Sequence, residues 1–294
     1  MKSREKIELQ RYGPFKKKFK LFRKRLMHRL KIYSGYHRDH AKKEQVFILT
    51  TRRSGSNLLL SYLNSIPGVS FASEVLNPHM YYGIREKNIS KRAVMRHLRY
   101  SMGRYRARVC GAKLLFVHMK THGLTVEDLL TAFPGARFIV LYRKSLIDQF
   151  LSFKIATVTD QWEWTDSFRL PDAVRLNPFE LIRYSHEIKG FYQQILAGDK
   201  IESRSILISY EDLARDAQRV FDEAVFPFLG LGRCEVFTQM QKQNTKTLRE
   251  IVANYGEIEP WIHSDRFRQD YSFGGIENPQ IFFSYSPTIR SVLK

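Results

Sequence analysis

The residues best suited to chemistry form one short run, Thr51-Arg-Arg-Ser-Gly-Ser-Asn57. It follows Val46-Phe-Ile-Leu-Thr50, which reads as a buried strand. It precedes an apolar stretch that reads as a helix from about Asn57 to Ile66, stopped by Pro67-Gly68. Gly55 lets the backbone turn tightly between the two. The amides of Ser54, Gly55, Ser56, Asn57 and Leu58 would then converge at a helix N-terminus, where free N–H groups and the helix dipole favour an anion. Arg53 adds a mobile positive charge. The alternative for the same residues is an ordinary strand-to-helix turn capped by serines. A nucleoside-triphosphate loop would need Gly-x-x-x-x-Gly-Lys-Ser/Thr. No glycine stands five residues before Gly55, and no Lys-Ser/Thr follows it. A dinucleotide fingerprint is absent as well. The loop reads as a phosphate binder that is not built for magnesium-ATP.

A second group of candidates lies further along. Pro134-Gly135 introduces a strand over 137–142, so Arg143 stands where that strand ends. Ser145, with Asp148 three residues on, is a capping-box start for a helix to about Ala156. Ser152 lies seven residues beyond Ser145 and faces the same side of that helix. Arg143 and Ser152 could hold a second phosphate at the carboxyl edge of a sheet, where open α/β sheets bind ligands. A surface arginine with a half-buried serine is the bland reading.

These turns need a scaffold. Further strands are expected at 69–72, from Val109 to Val117, and over Ser205–Ser209. Helices are expected from Ser90 to about Met102, from Thr125 to Ala132, near Pro178–Leu196 and near Ala214–Leu229. Beyond Tyr255 the periodicity fades and the chain reads as loop. Strands alternating with helices predict an α/β fold, a parallel β-sheet flanked by helices on both faces.

Composition narrows the class. A chain of 294 residues with 43% hydrophobic residues can bury a sizeable core. No stretch has the roughly 18 consecutive apolar residues of a membrane span. The N-terminus lacks the apolar region of a secretory signal. Cys110 and Cys234 are the two cysteines, too few for a disulfide scaffold or a cysteine zinc cluster, and they fit a reducing compartment. The histidines form no metal-ligand cluster, so no metal is expected. Net charge is +20, from 49 basic and 29 acidic residues. Residues 1–43 hold sixteen Lys/Arg and three acids, a net of +13, which leaves +7 for the rest. The chain therefore divides into a basic arm, 1–43, and a body, 44–294. In the arm Phe15, Phe19, Phe22, Leu26, Leu30 and Tyr33 recur every three or four residues among Lys and Arg. That is an amphipathic helix suited to an anionic membrane surface through residues 15–33, or one that packs on the body. A cytoplasmic protein, peripheral on the inner face of a membrane, is expected. The charge alone leaves nucleic acid, anionic lipid and a polyanionic substrate open as partners.

Taken together, the motifs resemble the sulfotransferase superfamily, whose donor is 3′-phosphoadenosine 5′-phosphosulfate. Thr51-Arg-Arg-Ser-Gly-Ser-Asn57 is similar to its 5′-phosphosulfate loop, and Arg143 to Ser152 to its 3′-phosphate motif. Tyr210-Glu-Asp-Leu213 and Phe228-Leu-Gly-Leu231 resemble its downstream pair. Three further segments resemble the bacterial carbohydrate branch, the trehalose and nodulation-factor type. These are Ser73-Glu-Val-Leu-Asn-Pro78, Asp148-Gln-Phe-Leu-Ser152 with Trp162, and Lys242-Gln-Asn244 with Leu248 and Asn254-Tyr255. Phe150 departs from that branch, which carries a small residue there. The resemblance implies a P-loop-kinase-like fold and a donor held by Arg53, Ser54, Gly55, Ser56, Asn57, Leu58, Arg143 and Ser152. It implies a carbohydrate or glycolipid acceptor and no nucleic-acid partner.

The acceptor hydroxyl must lose a proton as it attacks sulfur. Glu74 matches the base proposed for the carbohydrate branch. Met119-Lys-Thr-His122 resembles the Lys-Thr-His of cytosolic sulfotransferases, which makes His122 a second candidate. His118, read at a strand edge, is a third. Lys113 and Arg53 could neutralise charge on the transferring group. Trp162 and Trp164 could stack on a sugar or anchor a loop. The rival readings are a P-loop-like kinase and a non-enzymatic basic protein that binds membrane or nucleic acid.

Overall fold

The computed structural model describes residues 43–80, 83–84, 89–103, 107–162, 170–196, 199–240 and 246–263. Five strands form: β1 (Glu44–Thr50), β2 (Val69–Ala72), β3 (Val109–Leu115), β4 (Arg137–Tyr142) and β5 (Ser205–Ser209). All pair in parallel, in the order β2-β3-β1-β4-β5. β1 is the central strand, and Val46, Phe47, Ile48 and Leu49 are fully buried. This explains why its sequence is a continuous apolar run rather than an alternating one. The chain leaves β1 for one side of the sheet and later returns to pair β4 on the other. The crevice at the carboxyl end of β1 is thus a topological switch point. Thr50 pairs with Leu115 and with Leu141, so the loops after β1, β3 and β4 leave the sheet at one level.

Helices cover both faces. They are α1 (Ser56–Leu63), α2 (Lys91–Gly103), α3 (Phe116–Thr121), α4 (Val126–Ala132), α5 (Leu146–Thr159), α6 (Pro178–Leu196), α7 (Asp199–Glu202), α8 (Tyr210–Arg215), α9 (Ala217–Val220), α10 (Phe226–Leu229), α11 (Leu248–Ile251) and α12 (Tyr255–Ile262). Successive strand residues point to opposite faces. Phe47, Leu49, Ala112, Leu114, Phe138 and Val140 join α2, α4, α5 and α6 in one core. Val46, Ile48, Ile139, Leu141 and Ile208 join α1, α8 and Phe221 in the other.

The structure departs from the sequence reading in three places. The strand expected to Val117 ends at Leu115, and Phe116 opens α3. β3 has no partner beyond the end of β1, and the Phe116 ring packs 4.3 Å from that of Phe191 on α6. The single helix expected over 214–229 is broken. Asp216, at φ −153°, starts α9 anew by accepting from the Arg219 amide. A π turn then spans Phe221–Val225 just before Pro227, whose missing N–H disturbs the ordinary ladder. Beyond Tyr255, where loop was expected, α12 forms. Buried Asn254 secures its start by bonding both the N–H and the C=O of Leu176. α5 begins as predicted at Ser145, which accepts from the Asp148 amide, and runs on to Thr159.

Residues 1–42 of the arm, Trp164 and Lys242-Gln-Asn244 lie outside the described residues. Among the described residues no helix is long and apolar enough to cross a membrane.

Gly111 lies midway along β3. A Cβ there would sit 2.1 Å from the Phe71 ring and 2.4 Å from the Val46 carbonyl oxygen, which is backbone and cannot yield. Gly111→Ala is expected to cost about 1–3 kcal/mol. A lower urea midpoint at unchanged slope would show it, and an unchanged midpoint would count against the packing described here.

Candidate active site

The loop between β1 and α1 is held from several sides. Gly55 has φ +83°, and a Cβ there would lie 2.2 Å from the Tyr210 ring, so both conformation and space demand glycine. Arg53 also occupies the left-handed region, at φ +60°, a costly choice for a residue with a side chain. The contacts around it are strong enough to keep it there. The Thr50 hydroxyl lies 2.8 Å from the Leu141 carbonyl and 2.6 Å from the Ser54 hydroxyl, and Ser54 lies 2.9 Å from the Thr51 carbonyl. The Gln149 amide donates to the Thr51 hydroxyl at 2.9 Å and to the Arg52 carbonyl at 2.6 Å. Tyr184 donates to that same carbonyl at 3.4 Å, and Tyr192 donates to the Leu141 carbonyl at 2.7 Å. Burial pushes the Tyr192 phenol up to about 12 and raises that of Tyr184 as well, so both stay protonated donors at neutral pH. No side chain among the described residues caps α1. The amides of Ser56 and Asn57 have no intrahelical acceptor by the geometry of a first turn.

The turn between β4 and α5 meets this loop. The Arg143 guanidinium lies over the Tyr210 ring at 4.6 Å and donates to the Arg53 carbonyl at 3.4 Å. Glu211 accepts from the amides of Lys144 and Ser145 at 2.9 and 3.3 Å and stands 3.9 Å from Arg143. Arg53 crosses to this side, where its Nε donates to Ser152 at 2.9 Å and its Nη1 to the Trp162 carbonyl at 3.0 Å. Burial, then the charge of Arg143, lowers the pKa of Arg53. Arg143 Nε is buried without a hydrogen-bond partner among the described residues. Two neighbouring guanidinium groups, a serine hydroxyl and an orphan N–H donor fit a doubly charged anion.

A third group sits on the opposite side of β1. Lys113, on β3, is only 1% exposed. Its ammonium donates to Asn57 Oδ1 at 2.5 Å and pairs with Glu74 at 3.0 Å. Asn77 donates to the other Glu74 oxygen at 2.7 Å, and the His97 ring bonds the Val75 carbonyl at 3.0 Å. Burial pushes the Glu74 carboxyl up. Lys113, Asn77 and His118 together outweigh it, and the carboxyl lies below its ordinary value. His118 sits in the first turn of α3, not at a strand edge. His122 follows α3 and is buried, with neither ring nitrogen bonded among the described residues.

The structure thus brings Arg53, Arg143 and Ser152 together on one side of the α1 N-terminus, and Glu74, Lys113 and Asn57 on the other. Gly55 and Ser54 build the turn between them. No hydrogen bond ties His122 to either group. Gln149, Tyr184 and Tyr192 escaped the sequence reading as site residues. Gln149 stood inside a motif already singled out, but the two tyrosines belong to a helix whose relation to the loop is purely tertiary. Among the described residues no group of three or more His, Cys, Asp or Glu could hold a metal ion.

A crevice lined by arginines at the switch point of a parallel sheet, with a carboxylate and an ammonium beside it, is the kind of site an α/β group-transfer enzyme could use. Residues 45–233 match the model of the sulfotransferase family, and the chain belongs to that family of enzymes. It is similar to nodulation protein H of Rhizobium meliloti, at 27% identity over 230 residues that cover 72% of this chain and 88% of that protein. Among solved structures it is similar to a sulfotransferase from Alicyclobacillus acidocaldarius, at 19% identity and a TM-score of 0.45, covering 68% of this chain and 86% of that one. A mouse sulfotransferase, SULT7A1 complexed with PAP, matches at 14% identity and a TM-score of 0.38, covering 85% of this chain and 82% of that one.

Burial first, with Arg52, His122 and Lys113 adding to it against Glu74, pushes the His118 imidazole down to about 4 from an ordinary 6.5. It is therefore neutral at pH 7. Between those two values the unfolded chain binds a proton that the folded chain refuses. Stability falls there as pH falls, and His118 has no such effect above 6.5. An NMR titration should place its midpoint near 4, and His118→Asn should flatten the acid side of the stability curve. A midpoint near 6.5 would contradict the buried environment.

Proposed function

We propose that this sulfotransferase moves a sulfuryl group from 3′-phosphoadenosine 5′-phosphosulfate to a hydroxyl of a carbohydrate or glycolipid acceptor. The observation that carries the reading is the pairing of two anion-binding turns across one helix N-terminus, with Glu74 and Lys113 anchored to that helix through Asn57. In this reading Arg143 and Ser152 hold the 3′-phosphate, and Arg53, already bonded to Ser152, joins them. The turn from Ser54 to Leu58 receives the 5′-phosphosulfate through its amides. Glu74 accepts the proton of the acceptor hydroxyl. The hydroxyl oxygen forms its bond to sulfur as the bond from sulfur to the phosphate oxygen breaks, and adenosine 3′,5′-bisphosphate leaves. Lys113 stabilises the negative charge that gathers on the departing oxygen. His118, neutral at pH 7, stands by as an alternative proton acceptor. The likeness to nodulation protein H and the motif around Glu74 support the carbohydrate acceptor.

Charge-assisted contacts of the Arg143 type are worth roughly 1.5–3 kcal/mol. Arg143→Ala should weaken adenosine 3′,5′-bisphosphate binding by about tenfold or more and adenosine 5′-monophosphate binding much less. Equal losses in calorimetry would remove Arg143 from the 3′ site. Glu74→Gln keeps the shape of the side chain and removes the proton acceptor. Its kcat should drop by about 10²–10⁴ while donor affinity holds, and a larger loss in His122→Asn would move the role to His122.

The arm extends the proposal to the membrane. Its cations and aromatic stripe would hold the enzyme on an anionic surface beside a glycolipid. Deleting residues 1–43 should then abolish binding to anionic vesicles and spare donor binding. Full-length protein that ignores such vesicles would rule the arm out as an anchor.

A further inference from the structure

Arg52 is not used by the donor reading above, yet it is placed with care. Its carbonyl is pinned by Gln149 and Tyr184. Its guanidinium lies over the Phe153 ring at 5.2 Å, and that ring stacks on Tyr184 at 5.5 Å. Phe153 is also 5.9 Å from the ring of Trp162, which is 41% exposed. A guanidinium held over an aromatic ring can still present N–H groups to a ligand. No carboxylate among the described residues lies within ion-pair reach of Arg52. A partly exposed cation of this kind can take a ligand anion.

Its direction separates it from the donor groups. Arg53 turns to Ser152, whereas Arg52 turns to Phe153, about 100° further round α5. The charge of Arg52 is felt by His118 on α3. α3 and α5 share α6 as a floor, through the Phe116–Phe191 and Phe153–Tyr184 contacts. Arg52 thus stands over Phe153 of α5, and its charge bears on the side of the crevice that holds His118. An acceptor hydroxyl must come to that side to meet Glu74.

We propose that Arg52 reads an anionic substituent of the acceptor, a carboxylate, phosphate or sulfate ester on the sugar, with Phe153 and Trp162 supplying the apolar face beneath the ring. The proposal rests on the sulfotransferase reading of the same crevice, and it narrows the acceptor class to acidic saccharides. The net charge of +7 on residues 44–294 favours the approach of such a ligand.

The test uses full-length protein loaded with adenosine 3′,5′-bisphosphate. Methyl β-glucuronide and methyl β-glucoside share a ring and differ in one carboxylate, and their binding can be followed by ligand-observed NMR. The wild type should prefer the glucuronide by about tenfold, as one charge-assisted contact allows. Arg52→Gln should erase that preference and leave bisphosphate affinity unchanged, while Arg52→Lys should keep part of the preference. Absence of a preference in the wild type, including binding of neither sugar, would overturn the proposal. So would a preference that survives Arg52→Gln, or one lost equally in Arg52→Lys. A matching loss of bisphosphate affinity in Arg52→Gln would assign Arg52 to the donor instead. Wild-type protein that does not bind the bisphosphate would overturn the donor reading itself, and this inference with it.

Discussion

The site is organised around one buried ammonium. Lys113 comes from the middle of the sheet and is almost wholly out of water. A charge in that position is tolerated only when it is paired and hydrogen-bonded. Its two partners come from different elements, Asn57 in the first turn of α1 and Glu74 in the turn after β2. Satisfying Lys113 therefore ties the turn after β1 to the place where the carboxylate stands. The same ion pair keeps Glu74 charged despite its burial.

The opposite side of the crevice works by stored repulsion. Burial, then the charge of Arg143, disfavours the charge of Arg53, which adopts a left-handed backbone besides. The surrounding contacts carry that cost. Gln149 and Tyr184 hold the Arg52 carbonyl, Tyr210 fills the space under Gly55 and Arg143, and Glu211 takes the amides at the start of α5. Strain of this kind persists where the scaffold over-determines it. Here the scaffold is a sheet buried on both faces, with α5 and α6 clamped over its carboxyl edge.

Much of this was legible in the order of residues. The central strand, the glycine turn, the serine-started helix with Ser152 and the strand ending at Arg143 all depend on local chemistry: apolar runs, a residue that accepts positive φ, and a hydroxyl that caps an amide. Glu74 was a candidate through its resemblance to a family motif and Lys113 as a charge that could neutralise the transferring group, and local rules placed neither. They gave no sign that the two were partners, since 39 positions separate them and only the pairing of β2 with β3 brings them side by side. They also misjudged Phe116 and Val117, which are as apolar as a strand but have no strand left to pair with.

What the sequence by itself determined is the parallel class of the sheet, its five strands to within a few residues and the glycine turn after β1, because each follows from neighbours close by in the chain. What only the tertiary structure decided is which side chains meet. Arg53 turns to Ser152 rather than staying over its own loop, His118 loses its proton affinity through burial, and Gln149 and Tyr184 brace a carbonyl more than 90 positions away in the chain. The physical reason is that a polar group buried by packing must find its partner wherever the fold has placed one, and sequence spacing carries no record of that distance.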